Sequence, residues 1–533
     1  MRSAALVLAL ALAACGGKHA ASPHPTVPAL LASVPADTPY VVASLEAIPL
    51  DVMATYRDAI GGLLRSKLEH PGGEAPAASE AYGRLVAALL AELDGKWTAA
   101  GMESLGLSAT PRFALYGLGL DPVARIEIRD GKLLLGTIER IARRAQIDLP
   151  RPEARDGRTV WRIVERDRAF VVAIAADQLV LAYLPSAGLE AQLPLVLGTR
   201  KPTRTMADGA ALVAARDRYH LGGHAIAIVD TRQLAGRLLA GARPAPACTA
   251  EIDRLAARVP HVFGGYAISR TEQDAALVVE LAPDLLGELR ALRVELPGVA
   301  EARANAPLLM LGAGIELPRA QALAVAAGRA IQRAATACGN ATHAKGAGEL
   351  VAAAEQPIPQ PFSQLRGAVV SIKTIAIPGP LPLPTELEGF ALVSSPSAAA
   401  LFDLARAAVS QLLPVPFGAD GKLHPLPQDQ LPLTLPFPLF AGASQRAIVL
   451  AAGAQGREAA ERALAAPPAP SPLFVLDGDY GRISELSSRL GGGEDDGVMA
   501  ARAKLYGRMR LGLDATERGL ELRVAVETKP PGQ

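Results

Sequence analysis

The segment HAIAIVDTRQLAGRLL, residues 224–239, places an apolar strand pattern directly before a helical pattern, with Asp230 at the junction. The same layout returns in LFVLDGDYGRISELSSRL, residues 473–490, with Asp479 at the junction. An Asp at the start of a helix accepts hydrogen bonds from the free N–H groups of the first turn, which contributes about 1 kcal/mol. We therefore predict that Asp230 and Asp479 cap helices, and that one strand–helix layout occurs twice.

Hairpin patterns follow both segments. GGYAISRTEQDAALVVELAP (264–283) and YGRMRLGLDATERGLELRVAVET (506–528) each contain a strand, a polar turn with Thr-Glu, and a second strand. These recurrences support a tandem duplication with halves at residues 30–300 and 301–529. The alternative is a generic similarity between Ala- and Leu-rich segments, and unrelated strand orders in the two halves would exclude the duplication.

The strand patterns lie mostly in hairpins rather than alternating with single crossover helices. An antiparallel meander is predicted for three consecutive strand patterns, Thr159–Val164, Ala169–Ala175 and Gln178–Leu184, with Asp177-Gln178 as a tight turn. This arrangement favours an α+β fold over a doubly wound parallel sheet. We predict two similar halves, each a mainly antiparallel sheet covered by helices.

The last four residues, 530–533, are predicted to be a short tail.

Proline-rich stretches interrupt the second half. Because proline cannot donate to a strand ladder, these stretches are predicted to be loops with polyproline character, not strands in a sheet centre. The stretches are Gln356–Pro361, Pro378–Pro384, Pro414–Pro438 and Pro467–Pro472.

The N-terminus has the order of a secretory signal. Arg2 precedes the apolar run Ala4–Ala14, which is too short to span a membrane. The end of the run, Leu12-Ala13-Ala14-Cys15, resembles the lipobox of bacterial lipoproteins. The resemblance implies that residues 1–14 are a signal peptide and that Cys15 becomes the first residue of the mature chain. The alternative is an ordinary signal peptide cut elsewhere.

In that family the cysteine thiol carries a diacylglycerol, so the resemblance makes Cys15 a lipid anchor in a membrane of the cell envelope. Residues 15–29 are rich in small and polar residues and are predicted to be a flexible tether. Lipoproteins retained in the inner membrane often carry Asp after the cysteine. Gly16 therefore favours the outer membrane, with a soluble body held to it by lipid.

The stretch Val34-Pro-Ala-Asp-Thr-Pro-Tyr40 lies shortly after the tether. It resembles the opening of uncharacterised bacterial envelope lipoproteins, in which a PADTP stretch precedes the first strand and α+β repeats follow. This resemblance implies an envelope location and a repeated α+β fold, and it implies no known activity.

The composition narrows the function classes. The chain has 533 residues, of which 50% are hydrophobic and 4% aromatic, and its net charge is +1. The length predicts more than one domain. Few aromatic stacking platforms and no strong positive field argue against a nucleic-acid partner.

Two cysteines remain if Cys15 is acylated. Cys248 and Cys338 would lie in an oxidising compartment, one in each proposed half, so we predict a disulfide between them. The alternative is a pair of buried free thiols.

No catalytic, metal or cofactor motif stands out. The chain lacks a G-x-S-x-G, an S-x-x-K, a Walker A sequence and a G-x-G-x-x-G after a strand. Asp477-Gly-Asp479 resembles the start of a calcium loop but lacks the later ligands, so capping by Asp479 is the preferred interpretation. We predict no catalytic residue, no metal ligand and no cofactor.

Three functions remain open. The first is a non-enzymatic envelope protein that binds a partner or scaffolds an assembly. The second is a carrier of a lipid or other apolar ligand between a curved sheet and its helices, suggested by apolar strands such as VVAIAA and LVLAYL. The third is an envelope hydrolase without a recognisable motif. An apolar pocket would favour the carrier, and a cleft gathering His, Asp and Ser would favour the hydrolase.

Overall fold

The computed structural model shows an α+β protein, as predicted, and it divides into two compact units. Unit 1 comprises Met1–Arg243, Pro260–Val278 and Thr528–Gln533, and unit 2 comprises Pro244–Val259 and Val279–Glu527. The structure describes residues 29–53, 56, 76–304, 308–377, 384–408, 420–428, 435–489 and 505–529.

Unit 1 contains one antiparallel sheet. Its strands are β1 Tyr40–Ala43, β2 Phe113–Leu118, β3 Asp121–Glu127, β4 Glu153–Arg155, β5 Arg158–Glu165, β6 Arg168–Ala175, β7 Gln178–Pro185, β8 Ala225–Asp230, β9 His261–Ile268 and β10 Glu272–Val279. The order across the sheet is β4-β5-β6-β7-β3-β2-β1-β8-β9, and β10 pairs with β9.

The helices of unit 1 connect these strands and cover the sheet. They are α1 Pro76–Leu93, α2 Ala99–Ser104, α3 Gly131–Arg144, α4 Leu189–Val196, α5 Met206–Gly209, α6 Ala211–Tyr219 and α7 Thr231–Ala242, with a 3-10 turn at Ala29–Ser33. The main core lies between one face of the sheet and this 3-10 turn, α4, α5 and α6. A smaller cluster places Leu134 of α3 against Trp161 and Ile174.

The hairpin between β6 and β7 turns one residue earlier than predicted. Ala175 pairs with Gln178, so the turn is Ala176-Asp177 and not Asp177-Gln178. Ala176 adopts a left-handed φ of 53°, the conformation that two-residue hairpin turns require at their first central residue.

A buried arginine joins the sheet of unit 1 to the end of α4. Arg125 on β3 is 1% exposed, and its Nη2 donates to the carbonyl oxygens of Leu195 and Val196 at 3.3 and 2.7 Å. Its Nη1 donates to Gln178 at 2.8 Å, and its Nε to the Tyr116 hydroxyl at 3.3 Å. The cation thus satisfies the last carbonyls of α4 and lies at the negative end of the helix dipole.

The strands of unit 2 also pair antiparallel. The strands are β11 Glu295–Leu296, β12 Leu309–Gly314, β13 Gly367–Ala376, β14 Glu386–Ser394, β15 Leu423–Pro425, β16 Leu439–Ala443, β17 Ala447–Ala452, β18 Ala469–Pro470, β19 Phe474–Asp479, β20 Tyr506–Thr516 and β21 Gly519–Thr528. The order is β15-β16-β17-β14-β13-β12-β19-β20, while β11 and β18 pair separately.

The proline-rich stretches of unit 2 contribute two short strands. β15 lies within the stretch 414–438 and β18 within 467–472, and both were predicted to be loops. Among the described residues, β15 pairs only with β16, and β18 belongs to the separate two-stranded sheet. Pro425 and Pro470 therefore occupy edge positions, where a missing N–H is tolerated. The stretch 378–384 lies almost entirely outside the described residues.

The helices of unit 2 are α8 Pro246–Arg258, α9 Pro283–Arg290, α10 Val299–Ala304, α11 Leu317–Ala337, α12 Ala341–Ala354, α13 Ala398–Ala408, α14 Ala454–Ala465 and α15 Tyr480–Arg489, with a 3-10 turn at Phe362–Gln364. The core of unit 2 lies between one face of its sheet and helices α10 and α14.

The two units have the same strand order. β12, β13 and β14 occupy the places of β1, β2 and β3, while β15, β16 and β17 occupy those of β5, β6 and β7. β19 and β20 occupy the places of β8 and β9. Matching orders are what a duplication requires, although the units do not follow the predicted boundary at residue 301, because Pro244–Val259 and Val279–Ala300 belong to unit 2.

The cysteine pair lies within unit 2. The Sγ atoms of Cys248 on α8 and Cys338 at the end of α11 are 1.96 Å apart, at bonding distance. The sequence predicted one cysteine in each half, with Cys248 in the first and Cys338 in the second. Both lie in unit 2 because α8 packs against α11 rather than with the strands that flank it in the chain.

Candidate functional site

The two predicted capping residues accept the hydrogen bonds of helix caps. Asp230 Oδ1 accepts from the backbone N–H of Gln233 at 2.9 Å at the start of α7. Asp479 Oδ1 accepts from the backbone N–H of Arg482 at 3.0 Å at the start of α15. Cys15 and the tether lie outside the described residues, apart from residue 29.

Replacing Asp230 with alanine is expected to lower the free energy of unfolding by about 1 kcal/mol, because the first turn of α7 loses its acceptor. Asp230→Asn keeps an acceptor oxygen and is the matched control. Urea titrations followed by far-UV circular dichroism measure both. Equal losses in the two variants would show that the carboxylate acts through its charge rather than as a cap.

The acidic residues near Asp479 form ion pairs and caps. Asp477, 4% exposed, accepts from Arg508 Nε at 2.6 Å across β19 and β20. Within the described ranges, no three His, Cys, Asp or Glu residues are grouped so that they could hold a metal ion. Residues 491–497, whose sequence GGGEDDG contains three carboxylates, lie outside those ranges.

A second buried carboxylate, Glu521 on β21, is 4% exposed and accepts from Arg518, Arg523 and Thr516. Burial alone would raise the pKa of Glu521, but these hydrogen bonds outweigh it and lower the pKa below its ordinary value. The charged carboxylate therefore stabilises the fold above the pKa of the unfolded state, about 4.3, and this stabilisation disappears as the pH falls through the lower folded-state pKa.

We expect Glu521→Gln to be less stable than the parent chain at pH 7 and the difference between them to shrink towards pH 3. Denaturant titrations at several pH values measure it. A stability difference that stays constant from pH 7 to pH 3 would contradict the proposed contribution of the Glu521 charge.

In the described part of the chain, none of the helices combines the length and apolar character that a membrane span needs.

An open groove of about 540 Å³ in unit 2 has a mixed lining, in which Arg290, Arg293 and Glu295 are charged. Arg293, one of its lining residues, pairs with Asp514 at 3.2 Å, and Arg290 lies 4.0 Å from Glu517. The groove therefore does not match the apolar pocket expected of a carrier.

The apolar feature of unit 2 is instead the second face of its sheet, opposite the core. Residues directly opposite each other in an antiparallel ladder point to the same face, so the register defines rows across the strands. The central row, from β16 to β20, is Ala441, Leu450, Ala391, Val370, Leu311, Leu476 and Leu511.

The two flanking rows are also apolar. One row is Leu439, Ala452, Gly389, Ile372, Leu309, Gly478 and Met509, and the other is Ala443, Ile448, Val393, Ala368, Ala313, Phe474 and Leu513. None of the three rows carries a charged or hydrogen-bonding side chain. An antiparallel sheet with one solvated face ordinarily alternates apolar and polar residues, so this face has the composition of a covered surface.

Two helices cover the ends of this face. Phe402 of α13 belongs to a core cluster with Ala441, at the β16 end. At the other end, Ile483 of α15 lies over Gly478, where an added Cβ would be 2.9 Å from its Cδ1. Between them lies what we call the trough of unit 2, whose floor is Leu450, Ala391, Val370, Leu311 and Leu476.

The floor of this trough is only half-buried. Leu450 is 46% exposed, the other four residues have intermediate exposure, and none of the five belongs to a described core cluster. The leucines and valine thus remain partly accessible, although their composition is that of an interior.

Unit 1 has a corresponding central row. Its central row runs from β5 to β9 through Trp161, Val172, Leu181, Ala124, Leu115, Val42, Ala227 and Gly264. Helix α3 covers Trp161 at one end. The remaining stretch, Leu181 to Ala227, is the trough of unit 1, and apart from Ala124 its residues are half-buried.

A tyrosine lies beside the trough of unit 1. The ring of Tyr40 lies over Gly117, where an added Cβ would be 2.8 Å from its Cε1, and its hydroxyl donates to the Leu120 carbonyl at 3.2 Å. Burial, together with the nearby Asp121, raises the pKa of Tyr40 to about 12.

The floor residues of both troughs are apolar, and none of these described side chains is an acid, base or nucleophile. Sequence reasoning noted the apolar strands but did not predict an open face. The signal was present in AIVLAA (447–452) and GAVVSI (367–372), where apolar residues occupy both alternating faces of a strand.

No known family model, curated protein or solved structure matches this chain.

Proposed function

We propose that this chain is a lipid-anchored protein of the bacterial cell envelope that binds an apolar ligand without transforming it. The observation that carries the binding function is the half-buried apolar trough on the second face of each sheet. The anchor rests on the LAAC sequence that ends at Cys15.

The troughs favour the carrier function over partner binding or scaffolding, which was the first of the three functions inferred from the sequence. The five floor residues of unit 2 lie on five adjacent strands, about 4.8 Å apart, so the floor is about 19 Å long. Three rows give it a width of about 13 Å and an area of roughly 250 Å². A stable protein interface needs about 800 Å² from each partner, so the floor suits a small ligand better.

The anchor is tested by expressing the full chain and its Cys15→Ser variant in a bacterium fed with an alkyne-tagged fatty acid. We expect label and membrane association in the parent chain and neither in the variant, because the thiol is the acceptor. An unlabelled parent chain in the soluble fraction would exclude the anchor.

The membrane is tested with Gly16→Asp. If Gly16 permits transfer to the outer membrane, the parent chain fractionates with outer-membrane vesicles on a sucrose gradient and the variant with inner-membrane vesicles. Identical fractionation of the two chains would remove the argument from Gly16.

The ligand is tested by native mass spectrometry of the chain extracted from its own membrane. A carrier should retain a small apolar molecule in addition to its covalent acyl mass. Stable recovery of a protein partner instead would favour the scaffold.

A further inference from the structure

We propose that each trough holds one linear acyl chain, laid across the strands, so that one protein molecule binds two. This inference rests on the proposed carrier function and names its ligand class and stoichiometry. It is carried by the length of the floor, the composition of the three rows and the recurrence of the trough in both units.

The length of the floor fits a single hydrocarbon chain. The hydrocarbon core of a bilayer is about 30 Å thick, so the chain of one leaflet spans about 15 Å. The floor of unit 2 is about 19 Å long between α13 and α15, so one linear chain of this length can lie along its central row.

The side chains bind the hydrocarbon and leave the headgroup free. The three rows of unit 2 contain no charged or hydrogen-bonding side chain, so these residues offer no partner to a carboxylate or phosphate. We therefore expect a fatty acid and the fatty alcohol of equal length to bind with similar affinity.

The recurrence of the trough supports two sites. In both units the central row crosses the same five strand positions. Leu450 and Ala391 of unit 2 occupy the places of Leu181 and Ala124 in unit 1, with the same residue type at each position. The other three positions differ in residue type but are apolar in both units, so the floor is apolar in both.

The test is a titration of the full chain with the fluorescent fatty acid cis-parinaric acid, together with native mass spectrometry to count bound molecules. The variants are Leu476→Gln in unit 2, Leu115→Gln in unit 1 and the double variant. Matched controls are Leu350→Gln on α12 and Leu133→Gln on α3, whose leucines are 72% and 48% exposed outside the troughs.

We expect two bound molecules in the parent chain and both controls, one in each single variant and none in the double variant. The affinity of each substituted trough for the fatty acid should fall at least tenfold. Ala391→Phe fills the trough of unit 2 without adding polarity and should also remove one molecule, which keeps the test valid if a glutamine variant fails to fold.

Several outcomes would overturn the inference. These are a parent chain that binds no fatty acid, trough variants that still bind two, or a fatty acid that binds while the fatty alcohol does not. If the bulky probe 8-anilinonaphthalene-1-sulfonate binds in the troughs and the fatty acid does not, the acyl-chain inference fails while the carrier function stands. If Leu476→Gln instead abolishes dimers in sedimentation, the occupant of the trough is a second copy.

Discussion

Unfolding of the Cys248→Ala/Cys338→Ala double variant is expected to require about 4 to 5 kcal/mol less free energy than unfolding of the oxidised parent chain. The two cysteines are 90 residues apart, and a cross-link over so long a loop removes much of the entropy of the unfolded chain. Cys248 is also buried, whereas Cys338 is exposed, so packing holds the Cys248 side of the bond in place.

The measurement is a urea titration of both chains, with and without a reducing agent. Reduction should destabilise the parent chain by about as much as the double substitution and should leave the double variant unchanged. Stability that is equal with and without reducing agent in the parent chain would contradict a structural cross-link.

The protein carries its own spectroscopic control for this experiment. Its two tryptophans, Trp97 and Trp161, both belong to unit 1, whereas the cysteine pair belongs to unit 2. Circular dichroism reports on the helices and strands of both units, while tryptophan fluorescence reports on unit 1. A loss of stability confined to unit 2 would therefore appear in circular dichroism at lower urea concentrations than in fluorescence.

The second large effect is expected when Arg125 is replaced with methionine, which should lower the free energy of unfolding by about 3 kcal/mol. Methionine fills much of the same space but donates no hydrogen bond, so the carbonyl groups of Leu195 and Val196 and the side chain of Gln178 lose buried donors. Each buried polar group left without a partner costs about 1 to 3 kcal/mol. Removal of a buried charge offsets part of this sum, because a guanidinium in the interior carries a desolvation penalty.

Arg125→Lys is the informative comparison. Lysine keeps the positive charge at the end of α4 but lacks the planar fork that reaches both carbonyls and Gln178 together. If the geometry of the fork matters, lysine will be nearly as destabilising as methionine in tryptophan-monitored urea titrations. A lysine variant as stable as the parent chain would assign the effect to charge alone.

The local elements were largely predictable and their partners were not. Alternation and hairpin turns predicted the meander β5-β6-β7 because neighbouring segments of the chain pair there. The rows of the troughs depend on pairings such as Leu311 with Leu476, which are far apart in sequence, and no local pattern fixes the register of such a pair.

The burial of Arg125 and the packing of α8 are two further features that the sequence patterns do not predict. Arg125 interrupts the apolar stretch PVARIEI, and a lone cation there is ordinarily assigned to solvent, because Arg is rarely buried without partners. Its partners at the end of α4 are about seventy residues away in the chain. α8 has an ordinary amphipathic pattern, and nothing in that pattern indicates that it packs against α11 of unit 2 rather than with the strands that flank it in the chain.

The position of the cysteine pair also determines what a protease can release. The chain passes from one unit to the other at residues 243/244, 259/260, 278/279 and 527/528, so each unit is assembled from separate stretches of the polypeptide. The segment between Cys248 and Cys338 includes Pro260–Val278, which belongs to unit 1. A single cut within this segment therefore leaves two fragments that migrate as one species on a non-reducing gel and separate only after reduction.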